Sequence, residues 1–122
     1  MIEKFSNLNL SKEFLKNLDS LSYKELTPIQ GLSLPLSLQN SDLIAQAKTG
    51  SGKTVAFSIP VVNKLNVKDF KIQSLILAPT RELANQIAQE LRKLSRHVHN
   101  VKILTLCGGM PFKPQALSLS HG

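Results

Sequence analysis

The sequence lacks long hydrophobic runs, paired cysteines and acidic residues in number. Its apolar runs are only a few residues long, Leu75-Ile76-Leu77-Ala78 being typical, against the roughly 20 residues needed to span a bilayer, so no transmembrane helix is expected. The first ten residues include Glu3 and Lys4 but no basic stretch followed by an apolar one; without a secretory pattern, a cytoplasmic protein is expected. A single cysteine, Cys107, excludes an internal disulfide and reads as a packing residue at a strand end. His97, His99 and His121 have no second cysteine or acid at metal-ligand spacing, which argues against a site built from His and Cys. Asp and Glu number 8 against 15 Lys and Arg, a net charge of +7; that permits contact with polyanions without selecting one. Part of the charge clusters at Arg92, Lys93, Arg96, His97, His99 and Lys102, and reads as a solvated helix end where cations complement the dipole. Low-complexity stretches and internal repeats are also missing. With 42% hydrophobic and 19% charged residues, the 122 residues suit about one ordered small domain.

Two helices open the chain. Leu10, Phe14, Leu15, Leu18 and Leu21 recur at helical spacing behind Ser11, a good N-cap, predicting a helix over 11–21. Thr27 and Pro28 suit the cap and first position of a second, with Ile29, Leu32 and Leu36 as its buried stripe and Pro35 as its kink or end. From residue 42 the period changes. Leu43-Ile44-Ala45 reads as a short buried strand, residues 48–52 as a Gly-rich turn, and a helix follows from Gly52. Residues 75–78 repeat the strand signal and Pro79-Thr80 breaks it. Leu83, Ile87, Leu91 and Leu94 mark another helix, and residues 101–106 a third strand. Strands alternating with helices imply an α/β fold, a parallel sheet with flanking helices.

The chemistry is most legible in Ala47-Lys48-Thr49-Gly50-Ser51-Gly52-Lys53-Thr54. This is a phosphate-binding loop with Ala47 where the first glycine usually stands. Gly50 and Gly52 let the backbone turn and aim several N–H groups at one anion, while the next helix offers its positive end. Lys53 is placed to reach the β- and γ-phosphates and the Thr54 hydroxyl to help hold Mg²⁺. An apolar strand precedes the loop and a helix follows it, the context this motif requires.

The loop alone does not separate kinases, GTPases and helicases, but the upstream segment does. Phe5, Tyr23 and Thr27-Pro28-Ile29-Gln30 resemble the Q motif of DEAD-box RNA helicases. The resemblance implies that Tyr23 stacks on adenine and that Gln30 reads its edge. A carboxamide can accept from N6 and donate to N7 at once, which predicts ATP over GTP. Ser22 stands where the family usually has glycine, so the turn ahead of Tyr23 is a point of departure. Downstream, Pro79-Thr80-Arg81-Glu82-Leu83-Ala84 and Gln86 resemble motif Ia, and Gly108-Gly109 the family's GG element. By that resemblance Pro79, Thr80, Arg81, Gly108 and Gly109 contact the RNA backbone, in keeping with N–H groups exposed at a strand end that leads into a helix.

These elements occur in family order from Phe5 to about Gln115. They imply a RecA-like, P-loop NTPase domain, truncated, with residues 1–31 as a Q-motif region and 32–122 as a partial ATP-binding domain. ATP and Mg²⁺ are the implied cofactors and RNA the implied partner. Residues 103–109 resemble a bacterial subgroup associated with large-subunit ribosomal RNA, which makes ribosomal RNA a candidate target. The family's Asp-Glu-Ala-Asp sequence and its second domain are not in this sequence. Asp42 lies about five residues from the loop, ~16 Å along an extended strand, and does not substitute for the missing acid. The expectation is the ATP-binding portion of an ATP-dependent RNA helicase; the alternative is a fragment that binds ATP or RNA without turnover.

Overall fold

A computed structural model describes residues 2–122. A single 3-10 turn at Phe5–Asn7 precedes five helices: α1 Lys12–Ser20, α2 Pro28–Ser37, α3 Lys53–Lys64, α4 Arg81–Leu94 and α5 Phe112–Ser120. Side-chain caps set the starts of α1 and α4. The Ser11 hydroxyl accepts from Phe14 N–H at 3.1 Å, and Thr80 Oγ1 accepts from Leu83 N–H at 3.1 Å; each satisfies one orphan donor of a first turn. Asn17 closes the other end of α4. Its buried amide donates to the Lys93 carbonyl at 2.9 Å and the Leu94 carbonyl at 3.1 Å, which docks α1 on α4. His97 lies over Phe14 with ring centroids 4.4 Å apart, and burial there holds its pKa below the usual imidazole value.

The core lies between the helices. Phe5, Leu8, Phe14 and Leu18 meet Leu34 of α2, Val55, Ile59 and Val62 of α3, and Ile87, Leu91 and Leu94 of α4. Each such side chain contributes about 1.5–3 kcal/mol when fully buried. α2 corrects the sequence reading. Leu32 is 59% and Leu36 46% exposed, while Gln30, Gly31, Ser33 and Leu34 form the buried face. Gly31 and Ser33 are small, so α2 lies close against α3, its main partner, and close approach outweighs the larger side chains opposite. Pro35 does not end the helix either, which runs two residues further. The expected boundary between residues 31 and 32 falls inside α2.

The parallel sheet is the larger correction. Among the described residues the only bridge is an isolated antiparallel one between Lys4 and Glu25, flanked by Phe5 N–H to Lys24 O at 3.1 Å and Leu26 N–H to Glu3 O at 2.8 Å. The segments 43–45, 75–78 and 101–106 form no ladder. Residues 101–107 still alternate between half-buried and exposed, the period of a strand, and Ile76, Ala78 and Ile103 pack on the helical core. Among the described residues no backbone hydrogen bond joins one of these segments to another, so their edges are open. The outer face is open too, with Ile44 101%, Leu75 77% and Leu77 85% exposed.

Two glutamines tie local loops through their carboxamides. Gln73 accepts from Asn66 N–H at 2.8 Å and donates to the Asn66 and Asp69 carbonyls, closing the loop after α3. Gln115, on the unanticipated α5, accepts from Cys107 N–H at 2.9 Å and donates to Cys107 O at 3.3 Å. No helix of the described residues is long and apolar enough to cross a membrane.

Candidate nucleotide and nucleic-acid sites

The loop from Ala47 to Thr54 takes its shape from its glycines. Gly50 and Gly52 take φ of 79° and 91°, left-handed values that cost an L-residue roughly 1–2 kcal/mol. Gly52 caps α3 and its carbonyl accepts from Ala56 N–H at 3.1 Å, which leaves the N–H groups of Lys53 and Thr54 in the unsatisfied first turn. Lys53 folds back, its ammonium donating to the Ala47 carbonyl. The Ser51 hydroxyl is enclosed without a partner. Lys48, Thr49 and Gly50 are exposed and Thr54 is half-buried. An orphan hydroxyl, free helix N–H groups and a lysine resting on a loop carbonyl together fit a polyphosphate. For a cation, no group of three His, Cys, Asp or Glu comes together among the described residues; the loop offers single oxygen donors such as the half-buried Thr54 hydroxyl.

Gln30 is built onto this loop. Its Oε1 accepts from Thr27 N–H at 2.9 Å and its Nε2 donates to Gly52 O at 3.1 Å. The reciprocal contact of the capping box is weaker: Thr27 Oγ1 faces the α2 first turn but is buried without a hydrogen-bonded partner. A carboxamide has two acceptor and two donor positions, so one of each remains for a base edge. The fit is tight, since a Cβ on Gly52 would lie 2.5 Å from Gln30 Nε2 and 2.9 Å from Thr27 Oγ1.

Tyr23 follows α1 through a sharp turn. Ser22 has φ 64° and Tyr23 N–H donates to Leu18 O at 3.0 Å. The departure from glycine at Ser22 is thus absorbed by a left-handed serine. The Tyr23 ring stacks on Phe5, centroids 5.6 Å apart at 29°, so the two aromatics picked out from separate parts of the sequence are in contact. The Tyr23 hydroxyl donates to Glu90 of α4. Burial first, then Glu90, push the phenol pKa up to about 12.

The motif Ia and GG residues form a second cluster. Pro79, Thr80, Arg81, Gly108 and Gly109 are all exposed. Arg81 Nη1 donates to Gly108 O at 3.2 Å, and a Cβ on Gly109, at φ 79°, would lie 2.7 Å from that nitrogen. The arginine is thus laid against the glycine pair with most of its donors free. Sequence reasoning missed Glu90. Its signal was an acid three residues after Ile87 and four before Leu94, on the margin of the buried stripe of α4.

The DEAD/DEAH box helicase family profile matches residues 27–122. The chain is 51% identical over 118 residues to the ATP-dependent RNA helicase DbpA of Escherichia coli, covering 96% of this chain and 26% of that protein. It superposes on the crystal structure of a DEAD box protein from Methanococcus jannaschii with a TM-score of 0.90 and 39% identity, over 97% of this chain and 32% of that one. Against the RNA helicase Prp28 of Chaetomium thermophilum bound to ADP, the TM-score is 0.85 and the identity 36%, over 99% and 30% of the two chains. The chain therefore spans about a quarter to a third of the length of these relatives, along a backbone path like theirs. On the extent of the matched residues and the agreement of sequence and structure, the chain belongs to the DEAD/DEAH box helicase family.

Proposed function

We propose that this chain is the ATP-binding portion of an ATP-dependent RNA helicase of the cytoplasm, and that residues 43–45, 75–78 and 101–106 take the strand positions of a RecA-like parallel sheet, unpaired in this structure. The observation that carries the proposal is the Gln30 bridge between Thr27 N–H and Gly52 O. It ties Gln30 to the loop from Ala47 to Thr54, which supports one ligand met at both base and phosphates. In this reading Tyr23 stacks on adenine and Gln30 reads its N6 and N7. The loop from Ala47 to Thr54 takes the phosphates through backbone N–H groups and Lys53, and Thr54 holds Mg²⁺. The metal and phosphates together supply the electrophile of phosphoryl transfer. The residues of this chain bind and orient it, and Lys53 exchanges the Ala47 carbonyl for phosphate oxygens. Arg81 and its neighbours then contact the RNA backbone at the other cluster. Ribosomal RNA is the target suggested by residues 103–109.

Titration with ATP and GTP tests the reading. ATP should bind in preference to GTP, and Lys53→Ala should abolish binding of both. Equal affinity for the two nucleotides would refute the role of Gln30. On RNA, affinity should be nearly independent of sequence and fall with salt, and Arg81→Ala should lower the salt slope by up to about one contact, ~0.7 log units per tenfold salt.

A further inference from the structure

We propose that Glu90 is a positioning residue for the adenine base, holding the far end of the Tyr23 ring so that the face on which the base stacks stays in place. The inference rests on the reading of Tyr23 as the stacking aromatic. Three contacts define that side chain. Its N–H is bonded to Leu18 O at 3.0 Å, one ring region is packed on Phe5 with centroids 5.6 Å apart, and its hydroxyl is bonded to Glu90. The first two fix where the ring begins and what supports it. The Phe5 stack sets the ring plane, and the hydroxyl bond adds the fixed point at the far end of the ring, which restrains swinging about χ1.

Glu90 comes from α4, 67 positions further along the chain. It is half-buried beside Ile87 and Leu91, where an acid costs desolvation that an apolar side chain would avoid. What it supplies in return is direction, since a carboxylate accepting from a phenol is a charge-assisted bond stronger than a neutral one. With its pKa pushed up to about 12, the phenol keeps its proton and stays the donor at any physiological pH. A ring free to rotate would have to be ordered by the incoming base. Immobilising one such side chain on binding corresponds to about a two- to tenfold loss of affinity.

The test is calorimetric titration of the 122-residue chain with ATP and, separately, with inorganic triphosphate, which has no base. Glu90→Ala and Tyr23→Phe should each weaken ATP binding by about two- to tenfold and leave triphosphate binding unchanged. The double variant should be no weaker than either single one, because both remove the same bond. Glu90→Gln keeps an acceptor for the phenol and should recover most of the affinity. Equal losses for ATP and triphosphate would mean that Glu90 only stabilises the fold, and would overturn the inference. So would additive losses, or unchanged ATP binding in Glu90→Ala alongside a loss in Tyr23→Ala. Unchanged ATP binding in Tyr23→Ala would instead refute the stacking role itself, and this inference with it.

Discussion

Replacing Gly52 by alanine should damage the protein well beyond what the same change does at Gly50, and the difference measures how tightly Gln30 is seated on the loop. Both glycines have left-handed backbones, φ 91° and 79°, so both substitutions carry the ~1–2 kcal/mol penalty of an L-residue there. At Gly50 the added Cβ meets nothing within 4 Å, and the cost should end there. At Gly52 it would lie 2.5 Å from Gln30 Nε2, so the carboxamide must withdraw. Its bond to Gly52 O is then lost, about 1 kcal/mol, and repacking a crowded site adds about 1–3 kcal/mol. Gly52→Ala should therefore be less stable than Gly50→Ala by roughly 2–4 kcal/mol on the same estimates. Urea denaturation followed by circular dichroism reads the difference as a shift in midpoint at constant slope. In a Gln30→Ala background most of the excess should vanish, because the first atoms struck are gone. Equal midpoints for the two alanine variants, or an excess that persists without Gln30, would refute the argument.

Asn17→Ala strips donors from the Lys93 and Leu94 carbonyls, and a loss of about 1–3 kcal/mol is expected in the same denaturation assay. Ser22→Gly removes a left-handed serine at φ 64° and should raise stability by up to about 1 kcal/mol, read as a higher midpoint. His97 has a depressed pKa, so its contribution is present above pH 6.5 and lost as the pH falls below that value; thermal melts from pH 8 to 5 should show a decline that His97→Gln flattens. Tyr23 has a raised pKa of about 12. Its contribution is full below pH 10 and lost between pH 10 and 12, which a phenolate absorbance titration alongside melting would show.

What could be read from the sequence was what local chemistry decides. Ser11 announces α1 because a cap needs only residues within one turn. The loop from Ala47 to Thr54 is legible because its glycines, lysine and threonine serve one ligand at fixed spacing. Gln30 was read for its base-facing chemistry, but its seat on Gly52 depends on how α2 meets α3. The buried face of α2 was misread for the same reason. Hydrophobicity favoured Leu32 and Leu36, and close approach favoured Gly31 and Ser33. The lack of a ladder was not legible because residues 43–45, 75–78 and 101–106 carry the strand pattern whether or not they pair. Glu90 was invisible because its partner, Tyr23, is 67 positions away.

The carboxamide of Gln115 has a kinetic consequence. Helical amides exchange with solvent deuterium only when a helix frays or the fold opens. The amides of residues 43–45, 75–78 and 101–106 have no such lock, although Ile76, Ala78 and Ile103 pack on the helical core. Position and protection are therefore separated in this protein, and a segment can be well placed yet label within the first moments of an exchange experiment. Cys107 is the exception in its segment, because Gln115 accepts from its N–H at 2.9 Å. One slow amide at the end of a fast row would report the docking of α5, and Gln115→Ala would erase it while leaving the helical amides of α1 to α4 as slow as before.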